Sequence, residues 1–109
     1  MNVTKESNSY ETICIIKPDL KEDNLAKVIE KYQLLLAEKG AKDIVTQNRG
    51  RRHLKYTMKK FKDGIYVQIN YEGNGEVIAT LEKNMKINEK LLRFMTVKSH
   101  VKEKAEISI

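Results

Sequence analysis

The first apolar block of the chain is residues 10–16, rich in β-branched side chains and stopped by Lys17-Pro18-Asp19. Near-continuous apolarity over so short a run predicts a central strand covered on at least one face. Pro18 has no N–H to give a ladder and marks the exit. The period then changes. Leu25, Val28, Ile29, Tyr32, Leu35 and Leu36 recur at three- and four-residue spacing, which puts them on one buried helical face. Asp19 or Asp23 is the expected cap of that helix, and Gly40 stands where a left-handed C-terminal residue belongs.

Residues 41–56 predict a long second strand, with Gly50 inside it as a bulge. Beyond Gly50, Arg51, His53 and Lys55 alternate with Arg52, Leu54 and Tyr56. A connection is expected over 57–62, leading to a turn at Asp63-Gly64. A third strand over 65–71 alternates Ile65, Val67, Ile69 and Tyr71 with Tyr66, Gln68 and Asn70. Gly73-Asn74-Gly75 breaks that strand and offers Asn74 as a helix cap. Val77, Ile78, Leu81 and Met85 mark a shorter second helix, and residues 91–98 a fourth strand. The ends, 1–9 and 99–109, are polar and expected to be flexible. The order β-α-β-β-α-β over 10–98 predicts one α+β domain of ferredoxin-like type. Two helices cover one face of a four-stranded antiparallel sheet, with the second and fourth strands at its edges.

Composition narrows the chemistry. A chain of 109 residues fits one domain and can bury roughly two-thirds of its unfolded surface without disulfides or metals. Its single cysteine, Cys14, excludes an intramolecular disulfide and a multi-cysteine zinc site. Among isoleucines it is expected to be an inert buried thiol, in keeping with a reducing compartment. His53 and His100 have no second ligand at metal spacing, so no metal is expected. No stretch approaches the roughly 20 consecutive apolar residues of a membrane span. Residues 1–9 lack the apolar core of a secretory signal and, with Glu6, do not read as an Arg-rich transit peptide. Glu22, Asp23, Glu30 and Glu38 fall at polar helix positions and are expected to be solvated.

Charge then changes the picture. Net charge is +6, from 21 Lys and Arg against 15 Asp and Glu. Arg49, Arg51, Arg52, Lys55, Lys59, Lys60 and Lys62 lie within residues 49–62, which hold no acidic residue. Without those seven, fourteen cations face the 15 anions, so one segment carries the whole excess. Solvated faces normally mix signs, and a confined surplus fits a polyanion partner. His53 belongs to the same run. Tyr56 and Phe61 also sit in it: basic-interleaved aromatics can stack on unpaired bases, but core is the expected place for Tyr56, and Phe61 is left open. A looser set, Lys83, Lys86, Lys90, Arg93 and Lys98, is interrupted only by Glu89. Asp63-Gly64-Ile65-Tyr66-Val67 lacks the paired exposed aromatics of an RNA-recognition strand.

The motifs also carry a likeness. Tyr10-Glu11-Thr12 ahead of an apolar strand, followed by Lys17-Pro18-Asp19-Leu20, resembles the start of one family, that of the sixth protein of the bacterial-type small ribosomal subunit. The run from Gln47-Asn48-Arg49-Gly50-Arg51-Arg52 to His53-Leu54-Lys55-Tyr56 is similar to that family's second strand. Lys59-Lys60-Phe61 and Asp63-Gly64-Ile65-Tyr66-Val67 are similar to its third. Asn70-Tyr71-Glu72-Gly73-Asn74-Gly75 resembles the exit of that strand in cyanobacterial and plastid members, and Arg93 with Val97-Lys98 its closing strand. Thr57 departs from a frequent proline, and Lys55 from an apolar or small residue.

The resemblance spans about residues 10–99 and implies a structural, non-catalytic role with no cofactor. It further implies binding to the central domain of small-subunit ribosomal RNA together with the eighteenth small-subunit protein, in a plastid stroma or a bacterial cytoplasm. On that reading the end bearing Lys86, Lys90, Arg93 and Lys98 also faces RNA. An unpaired sheet edge and the open sheet face are the expected dock for the partner protein, through Leu54 and Tyr56. Two other classes share this fold. An acylphosphatase-like enzyme needs a glycine-rich anion cradle and an arginine, which Lys17-Pro18-Asp19-Leu20 lacks. A regulatory module for a small ligand would need a phosphate loop that is equally missing from the sequence.

Overall fold

A computed structural model describes residues 8–99. Six elements follow in order: β1 (Asn8–Ile16), α1 (Glu22–Glu38), β2 (Lys42–Met58), β3 (Phe61–Gly73), α2 (Gly75–Lys86) and β4 (Leu91–Lys98). Every strand pairing is antiparallel and the sheet order is β2-β3-β1-β4. The ferredoxin-like expectation holds, with β1 and β3 central and β2 and β4 at the edges. Strand β1 starts at Asn8, inside the segment expected to be flexible, because Asn8 and Ser9 pair with Gly73 and Glu72. Ser99 is described as well, its N–H donating to the Ser9 carbonyl at 2.8 Å, while residues 1–7 and 100–109, His100 included, lie outside the described residues.

Alternation along the central strands builds two unequal apolar layers. Thr12, Cys14 and Ile16 stand opposite Ile69, Val67 and Ile65 and face the helices. Leu25, Val28, Tyr32 and Leu36 of α1 and Val77, Leu81 and Met85 of α2 close over them. The polar atoms inside are matched: Thr12 Oγ1 lies 2.8 Å from both Tyr71 OH and Thr96 Oγ1. Asn88 Nδ2 donates to Tyr32 OH at 2.7 Å. Burial pushes the Cys14 thiol up to about 12, so it stays protonated and unreactive, as expected. On the opposite face, Ile13 and Ile15 are buried too, and Leu54 of β2 joins Ile15 beside Gly64.

Local chemistry sets the element ends, with two departures from expectation. Asn74 caps α2 as expected, accepting from the Glu76 and Val77 N–H groups. Helix α1 has Lys21 at its N-cap and no side-chain cap, so neither Asp19 nor Asp23 fills that role. Asp23 lies instead in the first turn with Glu22, where negative charge favours the helix dipole. Gly40 ends α1 at φ +92°, and Ala41 N–H returns to the Leu36 carbonyl.

The second departure is the hairpin. Strand β2 continues to Met58, which pairs with Phe61, and Lys59 and Lys60 turn the chain at φ +48° and +73°. Two successive left-handed residues make the tight two-residue turn whose twist suits a hairpin. Lysines in place of the usual Asn-Gly disguised it. Asp63-Gly64 is therefore no turn but the interior of β3, opposite His53 and Arg52. Gly64 is there for space: an added Cβ would collide with Ile15 Cγ2 and come to 3.4 Å from Leu54 Cδ2. The bulge at Gly50 is real, with φ +92° and a register step between Asn48 and Gly50.

Filling the Gly64 site forces Ile15 and Leu54 apart. Gly64→Ala should lower stability by about 1–3 kcal/mol, the usual cost of overpacking, read from the denaturant midpoint.

Candidate nucleic-acid and partner interface

The basic run occupies the distal half of β2, the turn and the first residues of β3. Pairing there is irregular: between His53↔Asp63 and Met58↔Phe61, residues 54–57 of β2 stand opposite Lys62 alone. Four residues against one break the strict alternation there, and the expectation for Tyr56 is corrected. Its side chain is 69% exposed and makes no part of the core, whereas Leu54 is 5% exposed beneath it. Phe61 is half-buried, with the Lys17 ammonium 5.9 Å over its ring.

The bulge and the pleat divide the cations between two faces. On the open face, Arg49 Nε donates to Gln68 Oε1 at 3.1 Å, and the Arg52 guanidinium lies 5.6 Å over the Tyr66 ring. On the other side, Arg51 and His53 converge on Asp63, at 3.3 and 3.0 Å. These are the ion pairs among the described residues, and they correct the view of the run as wholly without an acidic partner. Asp63 lies one residue past the segment and is brought back across the ladder. The hydrogen bond with His53, then that from Arg51, holds its carboxyl below the usual carboxylate range. Lys55, Lys59, Lys60 and Lys62 are exposed, with no carboxylate within ion-pair distance among the described residues.

The fold joins part of the second basic set to the first. Lys59 at the turn, Lys86 at the end of α2 and Arg93 of β4 line one cleft of about 290 Å³. Lys90 lines the neighbouring cleft with Lys17. Lys98 is not brought in: it pairs with Tyr10 at the far end of the sheet. Three contributors were not expected at this site: Asp63, Lys17, and Ile87, which is 76% exposed just past α2. Only Ile87 left a signal in the sequence, since it falls off the Val77, Leu81, Met85 face.

The open sheet face is a second surface. Ile13, Ile15 and Leu54 form an apolar floor, with Met95 beside Ile13 on β4. Arg52 on Tyr66 and Arg49 on Gln68 border it. Val45 of edge strand β2 is also left exposed. Among the described residues no group of three or more His, Cys, Asp or Glu is placed to hold a metal, and no helix is long and apolar enough to cross a membrane.

Fold and surface together define a small scaffold that presents cations at one end and, along β2, the exposed side chains of Val45 and Tyr56. Residues 9–98 match the family described as Ribosomal protein S6, and the chain belongs to that family. Small ribosomal subunit protein bS6c of Guillardia theta is 68% identical, over 82% of this chain and 93% of that protein. The bS6c protein of Porphyra purpurea is 46% identical, over 91% and 88%. The bS6 protein of Trichormus variabilis is 48% identical, over 92% and 93%. A crystal structure of 30S ribosomal protein S6 from Thermotoga maritima superposes with a TM-score of 0.80 at 25% identity, covering 86% of this chain and 89% of that one. The family is structural and not enzymatic, which removes the acylphosphatase-like alternative.

A carboxyl held low in the folded state stabilises above its ordinary pKa, and that contribution disappears as pH falls through the folded value. Replacing it removes the dependence. The stability gap between the wild type and Asp63→Asn should be present at neutral pH and shrink as the pH falls below the ordinary carboxylate range, in denaturant midpoints taken across the acid range.

Proposed function

We propose that this small-subunit ribosomal protein binds small-subunit RNA through its basic hairpin and docks the eighteenth small-subunit protein on its open sheet face and β2 edge. The observation that carries the RNA reading is the group of exposed lysines at the turn, Lys55, Lys59, Lys60 and Lys62, which have no carboxylate partner among the described residues. Such cations release counterions from a phosphate backbone on contact. Arg49, Arg51, Arg52, His53, Lys86, Lys90 and Arg93 border the same end. Lys98 stands apart from it and serves as an internal control. Its place of work is the ribosome of a plastid or of a bacterial cytoplasm, as for plastid-encoded and cyanobacterial relatives. The role is one of scaffolding, without catalysis or cofactor.

The protein-docking reading rests on the outer edge of β2, which has no neighbouring strand among the described residues and invites a covering chain, and on Val45, exposed along that edge. Tyr56 rises from that edge with most of its surface in water, as an interface anchor would before docking.

With about four phosphates engaged, log affinity for small-subunit RNA should fall against log salt with a slope of about −3 to −4. Filter binding measures it, and a flat response contradicts RNA contact. Tyr56→Ala should leave the melting transition nearly unchanged and weaken capture of the eighteenth protein by about 5–30-fold, the 1–2 kcal/mol of an interface anchor. Leu54→Ala is the poorer test, since burial makes it cost about 2–5 kcal/mol of folding stability.

A further inference from the structure

Within that RNA-binding reading, on which the inference rests, we propose that the cleft between the hairpin turn and the α2–β4 connection takes one unpaired nucleotide of the bound strand. Its phosphate would lie among Lys59, Lys86 and Arg93, and its base against Ile87 and Phe94. Four observations converge on the cleft. Its volume of about 290 Å³ lies just below the usual range of small-ligand clefts, the scale of a single nucleotide. Its three cations come from the hairpin turn, α2 and β4, and Glu89 is the one carboxylate in its lining, leaving it net positive. Lys86 partly serves its own helix, whose last carbonyls favour a cation, but Lys59 and Arg93 have no such local use. Ile87, finally, holds a large β-branched side chain 76% in water between Lys86 and Lys90.

Apolar surface set beside cations matches the two halves of a nucleotide. A base offers a flat face to any apolar or guanidinium surface, and its phosphate offers the charge. A duplex does not fit the floor. In A-form RNA the bases are stacked inward, so paired strands would reach the rim cations and leave Ile87 uncovered. An extruded or single-stranded nucleotide covers it.

The test uses the full chain and two probes. Methyl and aromatic NMR would follow Ile87 and Phe94 during titration with adenosine 5′-monophosphate, and with adenosine and inorganic phosphate separately. The mononucleotide should move both signals at lower concentration than either half. Filter binding to small-subunit RNA would then compare the wild type, Ile87→Ser and Lys59→Asn, the last chosen because asparagine tolerates the left-handed turn position. Ile87→Ser, at an exposed site, should keep its melting transition. It should lose about tenfold in affinity at every salt concentration with an unchanged slope, because a stacking contact releases no counterions. Lys59→Asn should flatten the slope by about 0.7.

A wild type that binds RNA steeply with salt while Ile87→Ser stays within twofold of it overturns the cleft and leaves the RNA reading standing. Mononucleotide shifts without that loss on RNA would give the cleft to free nucleotides, and equally overturn it. A wild type with no RNA affinity defeats both readings.

Discussion

Burial of the central strand on both faces is the constraint from which the rest of the structure follows. Cys14 and Ile16 need the helices, and Ile13 and Ile15 need cover on the opposite side. A strand buried twice over must also be flanked at both edges, which β3 and β4 provide. Strand β2 is thereby left outside, and at seventeen residues it is long enough to carry charge away from the core. The smaller apolar layer then reaches back for it. Leu54 folds over beside Gly64 and Ile15, so the charged hairpin is tied to the body by an apolar contact that screening salt does not weaken.

This separation explains how a cation-rich segment coexists with a stable fold. Desolvating a charge is expensive, and here the main core contains only matched hydroxyl and amide groups, such as Thr12 with Tyr71 and Thr96. The charges sit in water. Where Arg51 and His53 come close, the carboxylate of Asp63 lies between. Asp63 thus orders one side of the hairpin, while Lys55, Lys59, Lys60 and Lys62 have no carboxylate partner among the described residues.

Element type and order were legible because each buried face repeats with its own period. Leu25 to Leu36 reads as a helix and Ile65 to Tyr71 as a strand before any contact is known, and all six elements formed as expected. The hairpin was less legible. Lys59-Lys60 lacks the glycine or asparagine that announces two left-handed residues, while Asp63-Gly64 imitates a turn and is in fact a packing device against Ile15. Tyr56 misled for a related reason: period-two alternation assigns it to the Leu54 side, but the ladder slips between His53 and Met58 and turns it outward. The candidate surface was visible as composition in residues 49–62. Its meeting with Lys86 and Arg93 was not, because only the tertiary fold sets Lys59 beside residues 27 and 34 positions further on.

The placement of the turn has a consequence for how the molecule travels. The domain is 49 Å in its longest dimension, several times the screening distance of about 8 Å at physiological salt. A polyanion therefore acts on the protein unevenly as it approaches, pulling on the lysine-bearing tip while the nearly neutral remainder feels little. Torque of that kind turns the particle during diffusion, so first collisions are biased towards the tip.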